Sequence, residues 1–330
     1  MKLAVGFLTY NEASAKYLEE FLPSLSRALG FLSPDDYKIY VHDNSSSDDR
    51  RNQTIITGFR TLTDCSPFIY STTSRNLGFS RAYNSLIASA IKDSASYFLV
   101  INPDTLLDEG AIQKLVAALD NNASLASVAP KILSWDFTNH LKTDTIDSLG
   151  LILKPGLKFS DLGQGLKDEG QFDQAKIIGP SGAAGMFRLS ALEKVATPGE
   201  REGAKQYFDE HFFMYKEDCD LAYRLFLAGY QSALIPESLV YHDRTAASTG
   251  PGVGAILRDR RQKSRQIRAW SFKNQHLIFI KYWKQQNLAN KVLICYHLAI
   301  MFIFSLILEQ FLFKQYYSIL KSIRGLTNVK

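Results

Sequence analysis

Asp104 closes the segment Tyr97-Phe98-Leu99-Val100-Ile101-Asn102-Pro103-Asp104, an apolar run that ends in Asn-Pro-Asp. Five apolar residues with β-branched and aromatic members predict an interior strand of a mostly parallel sheet. Pro103 has no N–H to continue a ladder, so the strand must stop and present Asp104 at its carboxyl end. Open α/β sheets bind ligands at that edge. A carboxylate there could hold a divalent cation against a phosphate, because hard cations take oxygen ligands. Taken alone, the tripeptide also reads as a strand-ending turn with a solvated acid.

A second group of acids, Asp209, Glu210, Glu217, Asp218 and Asp220, sits among aromatic residues between Phe208 and Leu221. Spacing predicts a helix from Glu217 to Ala228 with Leu221, Ala222, Leu225 and Phe226 on its core face. Asp218 precedes Leu221 by three residues and Ala222 by four, so it shares their inward face at the first turn. Asp220 lies four before Arg224 and can pair with it on another face. That leaves Asp218 as the candidate base, since a poorly hydrated carboxylate suits deprotonation of an attacking hydroxyl. Service to the helix dipole is the alternative. His242 follows a short strand, Ser238 to Val240, and its strand-end position allows a metal shared with Asp104.

Alternating elements must position these groups. Leu3 to Leu8, Ile39 to Val41, Phe68 to Tyr70 and Tyr97 to Ile101 read as strands, separated by helical stripes at Lys16–Leu29 and Arg81–Lys92, with Ala111–Leu119 a further helix. This order predicts a sheet covered on both sides. The region from Ser134 to Ile178 has weak periodicity and turn signals at Pro155-Gly156 and Gly163-Gln164-Gly165, which suits short strands and loops at a pocket edge. The small-residue stretch Ser181-Gly182-Ala183-Ala184-Gly185-Met186 requires backbone to approach a ligand or another strand closely.

With 330 residues, 46% of them apolar and 22% charged, the chain can build a large core. Three cysteines, Cys65, Cys219 and Cys295, share no metal or redox spacing, which argues against a disulfide scaffold and for a reducing compartment. Met1 to Leu8 is too short for a secretory apolar region, so the expectation is a cytosolic protein unless something downstream anchors it. Such a segment exists. Nine Lys or Arg residues and one acid lie between Arg258 and Lys284, and the 17 residues from Val292 to Leu308 are interrupted only by His297 as a strongly polar residue. That length is at the limit for crossing a bilayer and also suits a helix lying in the interface, with its basic flank on anionic lipid. A buried core helix is the alternative. No nucleic-acid-binding motif accompanies the basic residues, so no nucleic-acid partner is expected.

The order of motifs resembles glycosyltransferase family 2, most closely its bacterial rhamnosyltransferase-like branch. The matching pieces are Phe7-Leu8-Thr9-Tyr10-Asn11-Glu12, Val41-His42-Asp43-Asn44-Ser45-Ser46-Ser47-Asp48, Arg75-Asn76-Leu77-Gly78-Phe79-Ser80-Arg81-Ala82-Tyr83-Asn84, Asn102-Pro103-Asp104 and Glu217-Asp218-Cys219-Asp220-Leu221. The resemblance implies an α/β fold of the GT-A nucleotide-diphospho-sugar transferase type with a mostly parallel central sheet, plus a C-terminal helical, membrane-associating tail. Its expected divisions are a catalytic domain over 1–245, a basic lid or juxtamembrane segment over 246–290 with Gly250, Gly252 and Gly254 as hinges, and an apolar helical tail over 291–330.

The resemblance also implies roles. Thr9, Asn11 and Asp43 would form the nucleotide end of the site, Asp43 accepting from the ring N–H shared by uracil and thymine. Arg75 would contact base or diphosphate, Asn76 and Gly78 would shape that turn, and Asn102 would lie near the ribose. Asp104 and His242 would hold Mg²⁺ or Mn²⁺, and Asp218 would be the general base of an inverting transfer. Where the family's metal motif often has acids at both ends, Asn102 stands here, a form frequent in the rhamnosyltransferase-like branch. The implied donor is a nucleotide-diphospho-sugar, most specifically dTDP-rhamnose. The implied acceptor is a saccharide or lipid-linked saccharide, at the cytoplasmic side of the inner or plasma membrane and in surface polysaccharide synthesis.

Other readings are a UDP-hexose-dependent transferase of the same fold, a non-catalytic sugar-nucleotide-binding member, and a dinucleotide-dependent oxidoreductase. The last needs Gly-x-Gly-x-x-Gly after the first strand, where Thr9-Tyr10-Asn11-Glu12-Ala13-Ser14 stands instead.

Overall fold

The computed structural model describes residues 1–46, 48–62, 68–73, 75–199, 203–244, 260 and 263–326, with backbone only at 62 and 323–326. In chain order the elements are β1 (Leu3–Thr9), α1 (Asn11–Leu29), β2 (Tyr37–Asp43), α2 (Arg51–Leu62), β3 (Phe68–Thr72), α3 (Gly78–Lys92), β4 (Tyr97–Ile101), β5 (Thr105–Leu107) and α4 (Ala111–Asn121). There follow β6 (Leu125–Asp136), β7 (Leu141–Ser148), β8 (Leu151–Lys154), β9 (Lys158–Asp161), β10 (Ala184–Arg188), α5 (Leu189–Val195), β11 (Thr197–Pro198) and β12 (Lys205–Gln206). The last are α6 (Glu217–Leu227), β13 (Gln231–His242), α7 (Arg265–Lys281), α8 (Leu288–Ile307) and α9 (Phe313–Leu326).

Nine strands form the main sheet in the order β3-β2-β1-β4-β10-β6-β13-β5, with β7 paired to β6. β3, β2, β1 and β4 are mutually parallel, and β6 and β13 run the same way across the antiparallel β10. Only β10, β5 and β7 oppose them. The sheet is mostly parallel, as expected, with β10 inserted at its centre.

Alternation along β1 explains the two layers. Leu3, Val5 and Phe7 enter a core with Leu18, Phe21 and Leu22 of α1 and Ile112 and Leu115 of α4. Ala4 faces the opposite core, built on Tyr83, Leu86 and Ile87 of α3 with Leu221 and Leu225 of α6. Gly6 shares that second face, where a Cβ would stand 2.3 Å from the Phe98 ring, so the aromatic of β4 occupies space that glycine leaves. Phe21 is fully buried, and truncating such a ring costs about 3–5 kcal/mol.

Several elements extend beyond their sequence-predicted bounds. α1 begins at Asn11 rather than Lys16, and β13 begins at Gln231 rather than Ser238, because pairing with β6 supplies a ladder that local pattern does not reveal. The weakly periodic middle holds β7, the β8–β9 hairpin and the turns between them. Gly250, Gly252 and Gly254, expected as lid hinges, lie outside the described residues.

Candidate active site

The parallel half of the sheet delivers the nucleotide-side residues. Thr9 and Asp43 are register partners at the carboxyl ends of β1 and β2, and both are buried. Asp43 Oδ1 accepts from the Ser45 N–H at 3.0 Å and hydroxyl at 2.6 Å, while Oδ2 accepts from the Tyr70 hydroxyl at 2.6 Å. Asn11 has a left-handed backbone at φ 47° and donates its N–H to Ser45 Oγ at 2.6 Å. Thr9 Oγ1 and Asn11 Oδ1 are buried with no partner, a state that suits a pocket made for a polar ligand.

The third motif ties this end to the acidic segment. Asn76 Oδ1 accepts from Gly78 N–H at 2.7 Å and shapes the turn into α3. Gly78 has φ 74°, and a Cβ there would stand 2.5 Å from the Phe213 carbonyl, so only glycine fits. Phe79 N–H donates to that carbonyl at 2.8 Å and Ser80 Oγ to the Phe212 carbonyl at 2.6 Å. Asn84 accepts from the Tyr207 and Phe208 N–H groups and donates to the Phe208 carbonyl. Arg75 and Asn76 are exposed beside a cavity of about 190 Å³ that Arg81, Glu210, Phe212 and Phe213 also line.

Asp104 follows β4 and precedes β5, whose antiparallel register on β13 sets Thr105 opposite His242. Asp243 N–H donates to the Asp104 carbonyl at 2.9 Å. His242 Nε2 consequently lies 3.3 Å from Asp104 Oδ1, and its Nδ1 lies 2.8 Å from Asp147 Oδ2. Burial pulls the His242 pKa down, but the two carboxylates outweigh it and raise it to about 10. The network continues: Arg244 is 3.2 Å from Asp147 and 3.4 Å from Asp161, and Ser148 donates to Asp161 at 2.7 Å. Burial pushes the Asp161 carboxyl up, and Arg244 opposes that.

Asp218 acts electrostatically on both Asp161 and Arg244, so it belongs to the same charged cluster. Half-buried at the start of α6, it accepts from Gly182 N–H at 3.0 Å and Cys219 N–H at 2.7 Å. Ala183, next to Gly182, accepts from Asn102 N–H at 2.9 Å, which links the base-bearing helix to the Asn-Pro-Asp turn. The small-residue stretch approaches other strands, Ala184–Arg188 pairing with β4 and β6, and Gly182 lies against Asp218.

The segment leading into α6 is strained. Tyr215 and Lys216 have φ of 73° and 72°, uncommon for non-glycine residues. The buried Asn274 of α7 donates to the Met214 and Tyr215 carbonyls at 2.8 and 2.6 Å. Lys281, also on α7, bridges Asp209 and Asp220 at 2.6 Å each. Asp220 pairs with Arg224 at 2.9 Å, as its spacing predicted, and accepts from the Tyr282 hydroxyl at 2.7 Å. The basic segment expected to be a lid therefore includes a helix built into the support of Asp218.

Among the described residues no group of three or more His, Cys, Asp or Glu side chains is arranged to hold a metal ion. Asp104 Oδ1 is nevertheless buried without a hydrogen bond and faces an imidazole whose other nitrogen is held by a carboxylate. An oxygen donor and a carboxylate-oriented histidine fit a divalent cation that takes its remaining ligands from a diphosphate and water.

Asp147, Asp161 and Asn274 escaped the sequence reading. The available signal was an acid inside an apolar setting, as in Ile146-Asp147-Ser148-Leu149, where a buried carboxylate must find partners. Asn274 had no local signal, because its partners lie 59 and 60 residues away.

The family model "Glycosyl transferase family 2" matches residues 5–196. N-acetylglucosaminyl-diphospho-decaprenol L-rhamnosyltransferase of Mycobacterium tuberculosis (strains CDC 1551 / Oshkosh and ATCC 25618 / H37Rv) is 27% identical over 264 residues, 75% of this chain and 78% of that protein. Among solved structures, S. aureus TarS 1-349 aligns with a TM-score of 0.53 at 15% identity, over 99% of this chain and 81% of that one. In a second TarS structure the chain spans 44% of the length, at a TM-score of 0.48. The mannosyltransferase PcManGT from Pyrobaculum calidifontis, in complex with GDP-Man and Mn²⁺, aligns with a TM-score of 0.50 at 14% identity, over 99% and 86%. With the fold being of the GT-A type and the family model covering more than half of its residues, the chain belongs to glycosyl transferase family 2 and is a glycosyltransferase.

Proposed function

We propose that this glycosyltransferase moves L-rhamnose from dTDP-rhamnose to a lipid-linked saccharide at the cytoplasmic membrane face, with inversion, in bacterial surface polysaccharide synthesis. The observation that carries the chemistry is the unbroken run Asp104–His242–Asp147–Arg244–Asp161, with Asp218 within electrostatic range of its last two members and bonded to Gly182, next to the Ala183 carbonyl that accepts from Asn102 N–H. A candidate cation site and a candidate base thus share one charged cluster. The rhamnosyl donor and lipid-linked acceptor are carried over from the name of the mycobacterial relative.

In this reading Thr9, Asn11 and Asp43 receive the base, Arg75 the base or diphosphate, and Asn102 the ribose. Asn76 and Gly78 hold the turn between them. Asp104 and His242 would hold Mg²⁺ or Mn²⁺, which when bound supplies Lewis-acid stabilisation of the departing diphosphate. Asp218 takes the proton of the acceptor hydroxyl as that oxygen bonds to the anomeric carbon and the bond to the diphosphate breaks. Its N–H bonds from Gly182 and Cys219 fix the carboxylate's orientation and spare lone pairs for the incoming proton. One displacement with no protein nucleophile inverts the anomeric centre.

A thermal-shift panel tests the donor. Ligand at a hundredfold excess over Kd stabilises by about 2.7 kcal/mol. dTDP-rhamnose with Mn²⁺ should raise Tm more than UDP-hexoses or GDP-sugars. A larger shift from a UDP-hexose would reassign the donor, and no shift from any nucleotide would remove the binding roles given above.

A further inference from the structure

α8 has two unlike faces. Asn290, Ile294, Leu298 and Met301 repeat at helical spacing and pack inward on the catalytic domain and α7, with buried Ser305 on the same row, and Asn290 accepts from Gly156 N–H at 3.0 Å. The opposite row, Leu288, Val292, Tyr296, Ile300, Ile303 and Ile307, has no charged member and is 44–79% exposed. Only 11% of the helix's most apolar window is buried, far too little for a core helix. Exposed Phe313, Tyr317 and Leu320 continue the apolar surface onto α9.

The charge around this face has one sign. From Arg260 to Lys330 the sequence carries thirteen Lys or Arg and a single acid, Glu309. Glu309 is buried under Arg260 and Arg268, the latter at 2.7 Å. Lys284, Lys314 and Lys321 are exposed, and Lys291 lies over the ring of the exposed Trp283 at 5.6 Å. The geometry points to one occupant of this face, an anionic lipid surface, with α8 lying in the membrane plane. A continuous apolar stripe with a cationic rim and an interfacial indole is the makeup of a helix that binds there. A spanning arrangement would strip α8 from Gly156 and Ile294 from its core. It would also carry Glu309 to the far side of the bilayer and break its pairs with Arg260 and Arg268, which precede α8 in the chain and would stay on the near side.

The β8–β9 hairpin connects this surface to the site. Its turn lies under α8, where a Cβ on Gly156 would stand 3.0 Å from Leu293, and its other end is Asp161 beside Arg244. Four residues at about 3.3 Å each put the charged cluster roughly 13 Å from the inner side of α8, the lipid lying a further helix width of about 10–12 Å out. A saccharide on a lipid headgroup can reach that far. This deepens the membrane-linked acceptor of the proposed function and rests on it for the acceptor alone.

The test uses the full chain and sedimentation with vesicles of phosphatidylcholine alone or with 30% phosphatidylglycerol. Binding should be at least tenfold greater to the anionic vesicles and fall with salt. Ile303→Asp and, separately, Lys314→Glu/Lys321→Glu should reduce it at least tenfold while donor-induced thermal shift stays unchanged. Fluorophores at Leu288→Cys and Ile300→Cys, about 18 Å apart along the axis, should report equal depth to brominated-lipid quenchers. Unequal depths, with residue 300 near the bilayer centre, would mean a spanning helix and overturn the proposal. So would absence of vesicle binding, including by a dimer that buries the face. Loss of donor binding with intact vesicle binding would instead count against the donor assignment.

Discussion

Glu217 and Asp218 are neighbours in sequence whose surroundings give them different work. Glu217 is buried, its Oε2 has no partner, and desolvation, reinforced by the Asp218 charge, holds its carboxyl well above the usual range. Asp218 is half-buried and bonded to two N–H groups. Burial therefore disfavours the charged form of Glu217, and Glu217→Gln should keep kcat within about threefold. Asp218→Asn should lose about 10²–10⁴-fold of kcat, as expected when a general base is removed. Steady-state transfer assays on both variants decide this, and an active Asp218→Asn would cancel the base assignment. At this scale the sequence was informative about types and order. It could rank Asp218 above Asp220 because a pairing partner four residues on is visible in a helix, but the upward push on the Glu217 carboxyl depends on burial that spacing does not report.

Among the elements, α7 matters most to the site for its sequence distance from it. The positive φ of Tyr215 and Lys216 carries a cost of about 1–3 kcal/mol per residue unless the surroundings hold it. Asn274 supplies two of those restraints. Asn274→Ala leaves two carbonyls without that donor and should cost about 2 kcal/mol of stability. Because the loop feeds directly into α6, kcat should fall about tenfold with donor KM unchanged. Equal loss in kcat and donor binding, or neither, would mean that α7 supports the fold without positioning the base. Motifs within one element, such as Arg75 to Asn84, were legible because their glycine and amide answer local backbone demands. The clamp from α7 was not, since hydrogen bonds spanning some sixty residues leave no periodic trace.

For the whole molecule, pH response separates groups by sign. His42 and His276 are buried, and desolvation lowers both pKa values below 6.5. The unfolded chain binds those protons first, so their contribution is present above about pH 6.5 and lost as pH falls from there toward the folded values. In protein kept free of divalent metal, His242, raised to about 10, contributes in full below its unfolded pKa near 6.5 and loses that contribution as pH rises from 6.5 to 10. Tm should therefore decline on both sides of pH 6.5–7. His276→Gln should flatten the acid limb and His242→Gln the alkaline limb, as differential scanning fluorimetry would show. An unchanged acid limb in the first variant would mean that His276 protonates equally in both states. By itself the sequence determined the alternating strand and helix order and the acids at strand and helix ends, because these follow from local periodicity and short-range backbone chemistry; the family was legible in the order of its motifs. The tertiary structure alone decided that β10 enters the sheet antiparallel, that Asp147 and Asp161 extend the Asp104–His242 pair through Arg244, and that α8 is apolar outward. Each of those depends on which distant segments pack together, and burial and charge coupling arise only once they do.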